Sequence, residues 1–217
     1  MKNNVTEIVF IIDKSGSMIR FTDDTIGGFN STIEDQKGKE GKALVSTVLF
    51  DDESVVVHDR VDIGAIKPMT RNDYKAGGCT ALLDAIGDAI NHIGNIHKYA
   101  RREDVPEHTL FIITTDGMEN ASCRYSADKV REMIRRQTEK YGWEFIFLGA
   151  NIDAVGVAEG IGIKKERAIN YYQDSEGTQV SYRTMSRAAR CIRDNIDLDD
   201  GDWRKEADED FNRRGKK

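Results

Sequence analysis

An apolar run that ends in one carboxylate and two hydroxyls constrains the fold of this chain most strongly. Residues 8–12 are all Ile, Val or Phe, which predicts a strand buried on both faces of a mostly parallel sheet. The run stops at Asp13, Ser15 and Ser17, which form the pattern D-x-S-x-S. Because these residues alternate, their oxygens can turn toward one point beyond the end of the strand. We therefore expect an all-oxygen cradle at this position.

A cradle of this kind is typical of a site for a hard divalent cation. Mg2+ prefers about six oxygen ligands and usually keeps some of its water. The pattern contains neither sulfur nor imidazole, which are ligands that zinc favours. The residue types therefore favour Mg2+, with Mn2+ or Ca2+ as possible substitutes, over Zn2+.

A second apolar run repeats the arrangement. Residues 109–115 read TLFIITT and are followed by Asp116 and Gly117. Both runs predict buried strands that end in a carboxylate. Ligands of doubly wound sheets bind beyond the carboxyl ends of the strands, so we expect Asp13 and Asp116 at one edge of the sheet.

The rest of the chain alternates between helical and strand patterns. Apolar residues at helical spacing predict five helices, which run from after residue 17 to about 38 and over 80–100, 126–141, 153–161 and 178–195. Runs of β-branched or aromatic residues predict further strands over 42–50, 54–61, 143–148 and 168–172. The short acidic turn 51–53 predicts a hairpin and hence one antiparallel edge strand. Gly77 and Gly78 permit close backbone approach before Thr80, a predicted helix N-cap. The pattern predicts an α/β doubly wound sheet with helices on both faces.

Composition limits the class of protein. The chain has 217 residues, a net charge of −6 and 39% hydrophobic residues, which predicts one soluble domain and no general attraction to nucleic acid or to an anionic membrane. Residues 1–196 are the expected domain, and the charged residues 197–217 are expected to form a flexible, solvated tail. No signal peptide or membrane span is recognised, and the three widely spaced cysteines argue against a disulfide framework. These observations predict a cytoplasmic location.

The motifs together resemble the von Willebrand factor A (VWA) domain and its metal-ion-dependent adhesion site (MIDAS). The five side chains of the family motif have matching residues here: Asp13, Ser15, Ser17, Thr80 and Asp116. The resemblance covers approximately residues 5 to 195. It implies a three-layer Rossmann-like fold with a six-stranded sheet in the order 3-2-1-4-5-6. It also implies that the serines bind Mg2+ directly, and that the threonine and the aspartates bind it directly or through water.

The resemblance implies a function in protein binding rather than catalysis. In this family an acidic side chain of a partner protein replaces a water on the ion. An ion held partly by neutral hydroxyls remains a strong Lewis acid, which favours such a ligand. The loops expected around the ion supply a predicted partner-binding rim: Lys14, Met18, Arg71, Asn72, Met118, Glu119 and Asn120.

A Mg2+-dependent hydrolase or phosphoryl-transfer enzyme is the alternative, because aspartates at strand ends also hold catalytic metals. Ser15 stands where an aspartate-nucleophile phosphatase needs a second aspartate, and no phosphate-binding G-x-x-x-x-G-K-[ST] loop is present. Binding is therefore the favoured function. Four arginines of the last predicted helix, at 183, 187, 190 and 193, are interpreted as its solvent-facing side, with a partner-binding surface as the alternative. No motif specifies the partner or the oligomeric state.

Overall fold

Six strands form one sheet in this computed structural model, which describes residues 4–199 and 202–215. The strands are β1 (Val5–Asp13), β2 (Lys42–Phe50), β3 (Ser54–Asp62), β4 (His108–Thr115), β5 (Glu144–Ala150) and β6 (Ala168–Tyr171). Their order in the sheet is β3-β2-β1-β4-β5-β6. Neighbouring strands are parallel except β2 and β3, which form the antiparallel hairpin. The predicted fold class and strand order are confirmed.

The central position of β1 explains its uninterrupted apolar sequence. Ile8 and Phe10 pack into the core on one face of the sheet, whereas Val9 and Ile11 pack into the core on the other face. All four side chains are completely buried. Alternate residues of a strand point to opposite faces, so a strand that is covered on both faces needs apolar residues throughout.

Helices cover both faces of the sheet. They are α1 (Thr22–Lys37), α2 (Leu82–Tyr99), α3 (Ala127–Tyr141), α4 (Ala154–Gly160), α5 (Ser175–Arg193) and α6 (Lys205–Arg214). One core packs against α1 and α5, and the other packs against α2, α3 and α4. Ser126 caps α3 by accepting a hydrogen bond from the Lys129 N–H, as predicted. Over the described ranges, no helix combines the length and the apolar composition needed to cross a membrane.

The prediction of a solvated C-terminal tail is wrong for residues 202–214. Trp203 is only 2% exposed, and its indole N–H donates to the carbonyl oxygen of Leu198 at 2.9 Å. Ala207 is buried, and the Phe211 ring stacks on Tyr172 with 4.9 Å between ring centroids. Trp203, Ala207 and Phe211 are four residues apart and so lie on one side of the segment. The charged residues around this narrow apolar stripe concealed it in the composition.

The interpretation of four solvent-facing arginines is wrong for Arg193. Arg183, Arg187 and Arg190 are exposed, but Arg193 is buried. Its guanidinium donates to the carbonyl oxygens of Gln36, Lys39, Glu40 and Gly41. These carbonyls lie at and just beyond the C-terminal end of α1, where the helix leaves backbone acceptors without partners. Arg193 therefore joins α5 to the end of α1.

We expect Arg193→Ala to lower the free energy of unfolding by roughly 2–3 kcal/mol, because buried carbonyl groups lose their donors. The matched control is Arg190→Ala in the same helix, where the arginine forms an exposed pair with Asp194. This control is expected to cost under about 1 kcal/mol. Urea denaturation measures both values, and equal effects would contradict the assigned role of Arg193.

Two adjacent glycines of α1, Gly27 and Gly28, allow a second matched pair of substitutions. A β-carbon built at Gly28 would lie 2.2 Å from Cδ2 of Tyr182 in α5, whereas one at Gly27 meets nothing within 4 Å. We expect Gly28→Ala to destabilise the protein by roughly 1–3 kcal/mol, because the ring must move. Gly27→Ala should stabilise it by about 0.5–1 kcal/mol through the better helix propensity of alanine. Urea denaturation of both variants tests this contrast, and the same sign for both would refute it.

Candidate metal centre at the carboxyl edge of the sheet

Parallel pairing of β1 with β4 brings two carboxylates to the same edge of the sheet. Asp13 is the last residue of β1, and Asp116 directly follows β4. The two strands are in register, with Ile12 opposite Thr114. Both carboxylates are buried, at 0% exposure for Asp13 and 3% for Asp116. The expectation that they lie at one edge is confirmed.

Hydrogen bonds gather the hydroxyls of the D-x-S-x-S loop around these carboxylates. Ser17 Oγ donates to Asp116 Oδ1 at 2.6 Å and lies 3.1 Å from Ser15 Oγ. Asp13 Oδ1 accepts a hydrogen bond from the Ser15 backbone N–H at 2.7 Å. The loop after β1 and the residue after β4 therefore form one cluster of oxygen atoms.

Thr80 joins this cluster from the segment before α2. A β-carbon built at Gly117 would lie 3.6 Å from Thr80 Oγ1 and 3.9 Å from Ser17 Oγ, so glycine leaves space beside both hydroxyls. The prediction that Thr80 caps α2 is wrong, because the N-cap position is Ala81. The Thr80 backbone is instead held by Asn120, which accepts from the Thr80 N–H at 2.9 Å and donates its own backbone N–H to the Thr80 carbonyl at 3.1 Å.

The glycine pair predicted to allow close approach connects two loops of the cluster. The Gly78 carbonyl accepts from the Gly16 N–H at 3.0 Å, and the Gly77 N–H donates to the Lys14 carbonyl at 2.8 Å. Gly78 has φ of +73°, and a β-carbon there would lie 2.3 Å from Asp52 Oδ2. Only glycine satisfies both requirements without strain or displacement of Asp52.

The two carboxylates lie in an environment that disfavours negative charge. Burial raises the pKa of Asp13, although hydrogen bonds from Thr115 and Ser15 act in the opposite direction. Burial also raises the pKa of Asp116 to about 6, and the charge of Asp13 adds to this effect while the Ser17 hydrogen bond opposes it. Within the described residues, neither carboxylate is paired with a lysine or an arginine. A bound cation would therefore supply a positive charge that residues 4–199 and 202–215 do not provide.

The donor set fits a hard cation. The described residues contain no group of three or more His, Cys, Asp or Glu side chains that could hold a metal ion. The cluster offers two carboxylates, and any further protein ligands must be the hydroxyls of Ser15, Ser17 and Thr80. All of these atoms are oxygens, which are the ligands that Mg2+ and Ca2+ prefer.

The predicted rim residues divide into two groups. Arg71, Asn72, Met118 and Asn120 are exposed, and Met118, two residues after Asp116, is 72% exposed. Arg71 forms an exposed ion pair with Asp23. Sequence reasoning missed Ile19, which lies two residues after Ser17 in the short 3-10 helix Gly16–Phe21 and is 60% exposed.

The other rim residues act within the fold. The prediction is wrong for Met18, whose side chain is buried in the core beneath the loop. Lys14 forms an ion pair with Asp51 in the β2–β3 turn. Glu119 accepts hydrogen bonds from backbone N–H groups, including that of Leu83 at 3.0 Å in the first turn of α2. Like Asn120, Glu119 therefore positions the segment that carries Thr80.

Three residues that sequence reasoning missed hold the carboxylates in place. Thr115 Oγ1 donates to Asp13 Oδ2 at 2.6 Å, and the buried Tyr74 hydroxyl donates to the Asp13 carbonyl oxygen at 2.6 Å. Gln173 donates its side-chain N–H to Asp116 Oδ2. The position of Thr115 beside Asp116 and that of Gln173 just after a strand are weak signals. The irregular segment around Tyr74 gives none.

Comparisons with protein-family models and with curated proteins find no match. Solved structures do match, and three are representative. The von Willebrand factor domain of the type V pili tip protein Mfa5 from Porphyromonas gingivalis has a TM-score of 0.59 and 10% identity, over 88% of this chain and 96% of that one. A von Willebrand factor type A protein from Catenulispora acidiphila has a TM-score of 0.53 and 14% identity, over 85% and 42%.

The third structure is proximal thread matrix protein 1 (PTMP1) from the mussel byssus with a zinc-occupied MIDAS motif. Its TM-score is 0.55 at 15% identity, over 85% of this chain and 45% of that one. The present chain thus spans less than half the length of the PTMP1 and Catenulispora chains. At these identities the likeness establishes the fold. The chain has the von Willebrand factor type A fold, with a mostly parallel six-stranded sheet, one antiparallel edge strand and helices on both faces.

Proposed function

We propose that this chain is a protein-binding module that holds a divalent cation, Mg2+ foremost, and uses it to recognise an acidic side chain of a partner protein. The observation that carries the proposal is the gathering of hydroxyls around two buried carboxylates that have no cationic partner among the described residues. Asp13, Ser15, Ser17, Thr80 and Asp116 are the proposed ligands. When bound, the cation would supply a coordination position for the carboxylate of a partner.

The cluster has a buried side and an exposed side, and a partner protein can approach the exposed side. Ser17 and Met118 are exposed, whereas Asp13, Ser15 and Asp116 are buried. The buried carboxylates provide the negative charge from below, and the neutral hydroxyls leave the cation with charge to attract an anionic ligand. Ile19 and Met118 are exposed apolar residues, and each lies two residues after a proposed ligand in the sequence. We therefore propose that apolar side chains flank the acidic residue of the partner.

The contacts of the basic residues favour binding over catalysis. Lys14 and Arg71 are ion-paired with Asp51 and Asp23. The four histidines hydrogen-bond away from the cluster, in the pairs His58 with Thr47, His92 with Asp59, His97 with Glu7 and His108 with Asn195. Lys14, Arg71 and the histidines are therefore engaged by other partners in the described part of the chain and do not supply a general base or a phosphate clamp to the carboxylates. Mg2+-dependent turnover of a phosphoester that is lost in Asp13→Ala would establish the hydrolase alternative instead.

The matched structures bear on the proposed role in protein binding and on the identity of the ion. One matched protein is a pilus tip protein and another is a byssus matrix protein, which is consistent with a role in protein–protein contact. Because PTMP1 has zinc in its MIDAS motif, Zn2+ belongs among the ions to be tested here.

Cys79 and Cys123 are free and exposed, which supports the proposed cytoplasmic location because such thiols persist in a reducing compartment.

We expect Mg2+ to raise the free energy of unfolding by about 2.7 kcal/mol at a concentration 100 times its dissociation constant, because the ion binds only the folded state. Urea denaturation in Mg2+ and in EDTA measures this, and calorimetry with Mg2+, Mn2+, Ca2+ and Zn2+ ranks the ions. Asp116→Asn should abolish the stabilisation. The matched control Asp128→Asn, on the surface of α3, should retain it. Equal stabilisation of both variants would place the ion elsewhere.

We expect peptides selected from a displayed random library in Mg2+, and released by EDTA, to share an aspartate or a glutamate. Changing that residue to Asn or Gln should abolish binding, because the amide lacks the charge that the cation attracts. The same peptides should fail to bind Asp116→Asn but should bind Asp128→Asn. Peptides that lack a shared acid and bind equally in EDTA would contradict the proposed mode of recognition.

A further inference from the structure

We infer that Gln173 is a positioning residue for Asp116, and that helix α6 sets the metal affinity of the cluster through the loop that carries Gln173. This inference rests on the proposed metal-dependent function. It concerns residues outside the five proposed ligands. It also assigns a role to the charged C-terminal segment, which composition alone suggested to be a tail.

Gln173 supplies the second side-chain hydrogen bond to the Asp116 carboxylate. Its side-chain N–H donates to Asp116 Oδ2, while Ser17 donates to the other oxygen, Oδ1. The Gln173 side-chain oxygen accepts a hydrogen bond from the Asn151 amide, and this bond selects the end of the Gln173 amide that faces Asp116. Asn151 follows β5 and has φ of +56°, a conformation that asparagine tolerates better than most residues. Each oxygen of Asp116 thus has one donor.

Helix α6 holds the residues on both sides of Gln173. Phe211 stacks on the Tyr172 ring, and the Arg214 guanidinium lies 4.6 Å from the centroid of the same ring. Arg214 also forms an ion pair with Asp174. Asp174 caps α5 by accepting from the Gly177 N–H at 2.8 Å. One helix therefore contacts both the residue before and the residue after Gln173.

The position of α6 is itself fixed by the core. Trp203, just before α6, and Ala207, in its first turn, are buried in the same core as α5. Residues that orient a metal ligand contribute to metal affinity without touching the ion. Detachment of α6 would free the Tyr172–Asp174 segment and remove the donor from Asp116. Because coupling between two sites is reciprocal, metal binding should in turn stabilise the contact of α6 with this loop.

The test uses Mn2+ as the probe and calorimetry on the full chain. Gln173→Leu keeps the size of the side chain but removes its donor, and we expect the dissociation constant for Mn2+ to rise about tenfold. Arg214→Ala should also raise the dissociation constant for Mn2+, by about threefold to tenfold, because the contact with Asp174 is lost. The matched control is Arg213→Ala in the same helix, whose partners are Glu176 and Asp210. This control should stay within about twofold of the wild type, because it leaves the Asp174 pair intact.

Hydrogen exchange provides a second measurement. If Gln173 only stabilised the fold, its replacement would leave the effect of Mn2+ on amide exchange unchanged. Mn2+ should slow the exchange of the α6 amides in the wild type but not in Gln173→Leu. Urea denaturation of each variant without metal separates lost stability from lost affinity. A variant that is destabilised but binds Mn2+ as tightly as the wild type would contradict a positioning role.

The outcomes distinguish this inference from the proposed function. If the wild type binds Mn2+, Asp116→Asn does not, and Gln173→Leu binds like the wild type, the inference is wrong and the metal site stands. If Gln173→Leu binds weakly but Arg214→Ala binds like the wild type, Gln173 positions Asp116 but α6 has no control over it. If the wild type does not bind Mn2+, both the inference and the proposed metal site are overturned.

Discussion

The parallel pairing of β1 with β4 is the constraint on which the candidate site depends. Asp13 and Asp116 are distant in sequence, and only the shared register of these strands brings their carboxylates to one edge of the sheet. Residues 8–12 of β1 are apolar and completely buried, so β1 occupies the centre of the sheet beside β4. The parallel pairing of these two buried strands places the acidic groups that follow their apolar runs at the same edge.

Burial of two carboxylates opposes folding unless their charge is compensated. In this protein the hydroxyls of Ser17 and Thr115 and the backbone N–H of Ser15 compensate it in part, and Gln173 adds a further donor. None of these groups carries a positive charge. Neighbouring loops hold the arrangement through Tyr74, which binds the carbonyl of Asp13. We propose a cation because the site has neutral donors but receives no counter-charge from the residues that the structure describes.

Prediction from the sequence succeeded where the pattern was local and repeated. The strands, the hairpin and the meeting of Asp13 with Asp116 followed from apolar runs and their ends. It failed where an interaction joined distant segments. Arg193 belongs to a row of arginines that suggests a solvent face, yet the carbonyls at the end of α1 surround it. Met18 lies in a loop but packs into the core, and the stripe of Trp203, Ala207 and Phe211 lies among charged residues.

The sequence by itself determined the six strands, the helices α1 to α5 and the carboxylates at the ends of β1 and β4, and the resemblance of its motifs to a known family added the hydroxyls of Ser15, Ser17 and Thr80. The strands, the helices and the two carboxylates depend on periodicity and on where an apolar run ends, which a linear pattern records. Tertiary structure alone decided that Gln173 reaches Asp116, that Tyr74 supports Asp13 and that α6 holds the loop beside Gln173. The physical reason is that these contacts join segments whose approach is set by the packing of the sheet and its helices. No local preference of a residue encodes that approach.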